Sequence, residues 1–162
     1  MSEKAASWAE RTLWVRSFSA AVRAGSAQTG GLHTVVEHVL PPGRIAMPLH
    51  RHERETETTY VLEGTLSVQL GKRVFQAGAG SCIVKPAGVF HTYWNEDERP
   101  ARFLDVISPG GLEAFYEEIA AAIPASGVVD VARVLEISRK YGIEFDMESL
   151  GDIMERHQVQ LS

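Results

Sequence analysis

The sequence predicts a mainly β chain that closes as a barrel or a double-sheet jelly roll and carries α-helices at its C-terminal end. Three observations lead there. Short runs rich in Val, Thr, Phe, Tyr and Trp alternate with Gly and Pro turns as far as Ser108. These runs are numerous and near-regularly spaced, and closed barrels and jelly rolls are the arrangements that limit exposed strand edges. Beyond Ser108 the apolar period changes from two to three and four residues.

The expected strands run in order through Leu13 to Phe18, Leu32 to Leu40, Ile45 to His52, Glu57 to Leu62, Thr65 to Leu70, Ser81 to Val84, His91 to Trp94 and Ala101 to Ile107. Turn residues separate them: Pro41-Pro42-Gly43, Glu63-Gly64, Gly71-Lys72, Gly78-Ala79-Gly80 and Pro86-Ala87-Gly88. Ser108-Pro109 then reads as a helix N-cap with proline at the first helical position. Leu112, Phe115, Tyr116, Ile119 and Ile123 form one apolar stripe, which Pro124 ends. Asp130 caps a second expected helix, with Val131, Val134, Leu135 and Ser138 on one face and Gly142 after it. A third pattern runs from Ser149 to His157. Helices this short do not stand alone, so they are expected to pack on the barrel's outside or to cover one mouth. The domain reading is therefore a β-barrel with N-terminal strands over residues 1–108 and a helical extension packed on it over residues 109–162.

Composition excludes more than it identifies. The chain has 162 residues, with 16 Lys and Arg against 21 Asp and Glu, a net charge of −5. One domain of this length buries about 70% of its unfolded surface without staples. The single cysteine, Cys82, excludes an internal disulfide and fits a reducing compartment. No apolar run approaches the ~20 residues of a membrane span. Charges and Trp8 occupy the segment Met1 to Arg16, where a signal peptide would need an apolar core. An acidic balance without a basic block counts against nucleic acid as a partner. A cytoplasmic location and a small-molecule partner are the expectation.

The chemistry clusters in two segments. His50 and His52 are two apart on an expected strand, so both imidazoles point to one face while Arg51 points away. Glu57 opens the next strand after four intervening residues, and His91 opens another after Pro86-Ala87-Gly88. Three neutral imidazoles and one carboxylate suit a single divalent transition metal ion, Fe, Ni, Mn, Co, Cu or Zn. Four burial-averse groups converging in a core are costly unless something coordinates them.

These residues resemble the cupin superfamily, whose motifs read G(X)5HXH(X)3,4E(X)6G and G(X)5PXG(X)2H(X)3N. Gly43, His50, His52, Glu57 and Gly64 match the first, with six residues instead of five between Gly43 and His50. Gly80, Pro86, Gly88, His91 and Asn95 match the second. The wider pattern is similar to small single-barrel cupins of the quercetin 2,3-dioxygenase-like type. It includes Val36-Glu37-His38, Tyr60-Val61-Leu62-Glu63-Gly64, Ser108-Pro109-Gly110-Gly111-Leu112-Glu113 and Tyr141-Gly142-Ile143-Glu144. The resemblance implies a double-stranded β-helix (jelly-roll) barrel, with His50, His52, Glu57 and His91 as metal ligands. It also implies that Glu57 takes a substrate hydroxyl proton. Relatives often carry an aromatic residue where this chain has Thr59, which implies a roomier or more polar pocket here.

Thr59, Val61, Tyr93, Phe103, Asp105 and His38 are the candidate substrate-pocket residues, although small barrels fill their interiors with such side chains as packing. Asp105 stands out, since an inward carboxylate positions a substrate or holds a ligand imidazole. His38 also reads as a satisfied strand histidine, His33 and His157 as solvent-exposed, and Cys82 as a small buried residue. Arg51, Glu53, Arg54 and Glu55 read as a solvated, mixed-charge rim. Trp8 and Trp14 mark a contact in a homodimer, with core packing as the plainer reading. The leading functional expectation is a metal-dependent dioxygenase acting on an enol or phenol with O2 as co-substrate. A metal-dependent isomerase, cyclase or lyase is the second reading, and a non-catalytic small-molecule binder the third.

Overall fold

The computed structural model describes residues 12–126 and 128–162, so Trp8 lies outside the described residues. In chain order the elements are β1 (Thr12–Val15), β2 (Phe18–Ala24), α1 (Ser26–Thr29), β3 (Thr34–Leu40), β4 (Arg44–Ile45), β5 (Leu49–His52), β6 (Thr56–Glu63), β7 (Thr65–Leu70) and β8 (Arg73–Gly78). There follow β9 (Cys82–Lys85), β10 (His91–Asn95), β11 (Ala101–Ser108), α2 (Glu113–Ala122), α3 (Val131–Lys140), β12 (Ile143–Asp146), α4 (Glu148–His157) and β13 (Gln160–Leu161).

The strands form two sheets. The first has the order β1-β2-β3-β11-β6-β9 and is antiparallel throughout. The second runs β12-β5-β10-β4-β13, with β7 also pairing β10 and β8 pairing β7. Period-two alternation decides what each strand buries. On β3, Thr34, Val36, His38 and Leu40 are buried, and on β11 Ala101, Phe103, Asp105 and Ile107 are. Phe18, Leu40, Val61, Leu66, Val68, Tyr93 and Phe103 meet in one cluster drawn from both sheets, as a jelly roll requires. All five residues of β10 are buried, because α4 covers its outer face and packs Ile153 near Trp94.

Two close approaches fix the turns. Gly64 has φ +75° between β6 and β7, and a Cβ there would lie 2.8 Å from the Pro100 carbonyl oxygen. Gly88 N–H donates to the His52 carbonyl at 2.7 Å, tying the turn before β10 to the end of β5.

Several expected elements differ in the structure. The long strand Ile45 to His52 is two short ones, broken at Ala46-Met47-Pro48. β2 was not foreseen, since its three alanines lack the usual β-forming side chains, nor was β8, which is largely exposed and pairs β7 alone. Ser108 ends β11 and donates its hydroxyl to Leu32 O at 2.7 Å, so it does not cap a helix. The Ser108–Pro109 peptide is cis, and α2 starts only at Glu113. Asp130 does cap α3, accepting from Arg133 N–H at 3.1 Å. Its buried face, however, is Ile137 and Ser138, while Val131 is exposed. Beyond residue 108 the chain contributes strands as well as helices: β12 pairs β5 and β13 pairs β4. Arg51, as expected, points out of the barrel. It grips Glu144 of β12 with two donors at 2.9 and 2.6 Å.

Side-chain burial also departs at five places. Cys82 is exposed because the alternation of β9 turns Ile83 and Lys85 inward instead. Glu55 is buried rather than part of a solvated rim. His157 is partly buried, its ring tilted against Trp94 with centroids 4.4 Å apart, and it is bonded to Glu96 at 2.6 Å. His33 is partly buried too, its carbonyl accepting from Thr29 at 2.5 Å. Trp14 is 59% exposed on the edge strand β1 and is not core.

Glu113 joins the extension to the barrel. Its carboxylate accepts from Ser26 N–H at 2.7 Å, Ser26 Oγ at 2.5 Å, Gly111 N–H at 3.1 Å and the Thr34 hydroxyl. Burial pushes this carboxyl up, but those donors outweigh it and hold it below its ordinary 4.5. A lowered folded value means the stabilisation is present above about pH 4.5 and is lost as pH falls through the folded value. Glu113→Ala is expected to cost about 2 kcal/mol in urea denaturation at pH 7. The deficit should shrink below pH 4, and an unchanged midpoint at pH 7 would contradict the assignment.

Candidate metal centre

The four sequence-predicted ligands meet between the two sheets. His50 and His52 come from β5 and His91 from β10, where His91 and His50 are directly paired across the ladder. Glu57 comes from β6 of the other sheet. One donor atom from each of the four lies within 4.8 Å of every other, and all four residues are buried. Ring centroids are 4.4 Å apart for His50 and His91, 5.2 Å for His50 and His52, and 5.4 Å for His52 and His91.

The donor chemistry fits a divalent transition metal. His50 Nδ1 donates to Pro48 O at 3.0 Å and His91 Nδ1 donates to Val89 O at 2.9 Å. A carbonyl only accepts, so each ring carries its proton on Nδ1 and turns an Nε2 lone pair inward. His91 Nε2 is buried without a hydrogen-bond partner, the state of an atom built to bind something else. Burial, helped by the neighbouring imidazoles, holds His50 well below its ordinary 6.5, which keeps it neutral as ligation demands. His52 Nε2 lies 3.1 Å and His91 Nε2 3.5 Å from Glu57 Oε2.

Lys85 belongs to this centre and was not foreseen. It pairs with Glu57 across the β6–β9 ladder, is 1% exposed, and donates its ammonium to Glu57 Oε1. Its Nζ also lies 3.5 Å from Asp105 Oδ1 and 5.0 Å from the centre of the Tyr93 ring. Burial raises the Glu57 carboxyl, but Lys85 and the two imidazoles outweigh it and hold Glu57 well below its ordinary 4.5. Burial lowers Lys85, and its two carboxylate partners overcome that and raise it. The signal was readable: on a strand Cys82-Ile83-Val84-Lys85, parity turns the lysine inward with Ile83.

Of the six pocket candidates, Tyr93 lines the cavity at the centre, together with Met47, Leu112, Phe115, Tyr116, Ile143 and Phe145. Val61 and Phe103 sit deeper, in the cluster between the sheets. Thr59, Asp105 and His38 form a buried polar group beside it, with the Thr59 hydroxyl donating to Asp105. Thr59 is therefore committed to Asp105. Phe115 and Tyr116 were missed because an amphipathic stripe reads as packing wherever it docks, and Phe145 because it lies on β12, a strand the sequence pattern did not show. The cavity at the ligands measures about 10 Å³, room for an ion or a water. A second chamber of about 160 Å³ lies beyond it and shares Met47, Phe115, Tyr116 and Phe145 as its wall.

Residues 36–107 match the Cupin domain family. The chain carries a cupin domain. Over 96 residues, 59% of its length, it is 30% identical to Quercetin 2,3-dioxygenase of Bacillus subtilis (strain 168), of which it spans 28%. Among solved structures it resembles KdgF from Halomonas sp. at 21% identity and TM-score 0.58, covering 65% of this chain and 91% of that one. It also resembles a sugar phosphate isomerase of the cupin superfamily from Silicibacter pomeroyi at 26% identity and TM-score 0.52, covering 58% and 60%. Cupin domain and buried ligand set together make this a candidate metal centre. Among the described residues, no helix is long and apolar enough to cross a membrane.

Replacing His50 or His91 by Ala is expected to weaken Co(II) or Zn(II) binding by at least about 100-fold, read by isothermal titration calorimetry. Undiminished affinity in either variant would remove that residue from the ligand set.

Proposed function

We propose that this cupin is a metal-dependent dioxygenase that acts on an apolar small molecule bearing an enol or phenol hydroxyl. One observation carries the reading: the metal cavity is lined by His50, His52 and Glu57 and by apolar or aromatic side chains, with no Arg or Lys among the described residues that line it. A sugar phosphate or a dicarboxylate would call for cationic donors there. The similarity to Quercetin 2,3-dioxygenase supports the same class, although it covers 28% of that protein.

When bound, the metal supplies positive charge that acidifies a hydroxyl and favours its anion. His50, His52 and His91 hold that charge as neutral donors, and Glu57 supplies the one anionic ligand. Glu57 Oε2, on the cavity side, accepts the hydroxyl proton, while Oε1 stays committed to Lys85. Phe115, Tyr116 and Phe145 exclude water from the resulting enolate, the electron-rich partner that O2 oxidises. The same residues separate the ligands from the larger apolar chamber, so admitting a substrate requires them to move.

A non-redox isomerase, cyclase or lyase is the second reading, favoured by the similarity to the sugar phosphate isomerase. Oxygen-electrode screening of enols and phenols with the metal-loaded chain separates the two. O2 consumption with substrate loss is expected, and turnover under strict anaerobiosis would favour the second reading. Glu57→Gln is expected to slow O2 uptake about 100-fold or more, and a retained rate would contradict its proton-accepting role. We also keep the homodimer as a proposal, with Trp14 on the edge strand β1 as its contact. Sedimentation velocity reads it directly, and a purely monomeric boundary would contradict it.

A further inference from the structure

Four buried charged or polar side chains extend away from the metal ligands across neighbouring strands of one sheet. Lys85 lies on β9, Glu57 on β6, Asp105 on β11 and His38 on β3, four strands adjacent in the order β3-β11-β6-β9. All are at most 3% exposed, and His38 and Asp105 are fully buried.

We propose that His38 is an imidazolium, and that His38, Asp105 and Lys85 are positioning residues that hold Glu57 for the metal. The proposal rests on reading Glu57 as a metal ligand. Counting donors carries the first half. His38 Nδ1 is 3.0 Å from Ser19 O, a carbonyl that can only accept. His38 Nε2 is 3.3 Å from Asp105 Oδ2. A neutral imidazole has one N–H, and spending it on Ser19 leaves an Nε2 lone pair facing a carboxylate oxygen. Neither Nε2 nor Oδ2 has another partner. A second ring proton satisfies both atoms at once.

That proton belongs to the ring rather than to Asp105. Asp105 Oδ1 already accepts from the Thr59 hydroxyl and lies 3.5 Å from the Lys85 ammonium, both of which favour the anion. The imidazole stands among aromatic rings that favour a cation: Phe18 stacked at 4.7 Å, Phe103 at 5.2 Å and Tyr116 at 5.5 Å. The charges then alternate along the chain His38, Asp105, Lys85, Glu57 and sum to zero inside the barrel. An alternating chain of this kind avoids the cost of an unpaired buried charge. It also decides which carboxylate oxygen faces the histidines. Lys85 takes Oε1, and Oε2 is left for the metal side.

The test uses the full chain loaded with Zn(II) and nitrogen-15 NMR of the histidine rings, with the His38 signals assigned by their loss in His38→Gln. Both His38 nitrogens should be protonated at pH 7.5, and a pyridine-type nitrogen would overturn the imidazolium. Asp105→Asn should return one His38 nitrogen to the pyridine type. It should also shift the visible bands of the Co(II)-loaded protein while one equivalent of Co(II) stays bound. Unshifted bands would overturn the positioning role. Lys85→Met, which keeps the chain length without the charge, should shift the same bands and serves if Asp105→Asn does not fold. A wild-type chain that binds no Co(II) overturns the metal reading and the positioning role with it, while the ring-nitrogen spectrum still decides the charge on His38.

Discussion

The arrangement depends on one buried juxtaposition: a carboxylate on one sheet faces three imidazoles on the other. Glu57 belongs to the six-stranded sheet, while His50, His52 and His91 belong to its partner sheet. Removing an ionised carboxylate from water costs several kcal/mol, so it persists only where opposite charge and donors repay the loss. Lys85 provides that charge from the same sheet, and His52 provides a donor from the other. An ion bound among the four donors would tie the two sheets together through their own side chains. With an ion bound, the site would also clamp the sandwich.

Around this clamp the backbone imposes direction. Nδ1 of two imidazoles is fixed by carbonyls within two residues of its own position, Pro48 O and Val89 O. The orientation of the ligands is thus set by local turns rather than by distant packing, and Gly88 binds one of those turns back to β5. The segment beyond residue 108 closes the opposite side. α2 supplies Leu112 at its start together with Phe115 and Tyr116, and β12 supplies Ile143 and Phe145, making a hydrophobic cover over a cluster of polar ligands. A low-dielectric cover strengthens each electrostatic interaction beneath it.

Much of this was legible from residue spacing. The period of two placed His50 and His52 on one face, and the turn residues between strands set out most of the β-region. The ligand set follows from short-range patterns, which a single chain displays openly. Long-range pairing is what the pattern conceals. Lys85 meets Glu57 only because β9 and β6 are neighbours, and Asp105 meets Thr59 and Lys85 rather than a ligand imidazole. Strand β12 was hidden because four residues after a glycine carry too little periodicity to separate a strand from a loop. Ser108 has the chemistry of a helix cap, but its hydroxyl is engaged by Leu32 at the end of β11. In each case the tertiary partner, not the local propensity, decided the outcome.

X-ray absorption of the Zn(II)-loaded chain tests the central claim most directly. The account predicts one equivalent of zinc with three imidazole nitrogens and at least one oxygen at about 2.0–2.2 Å. A spectrum with no imidazole scattering, or a stoichiometry far from one, would contradict it.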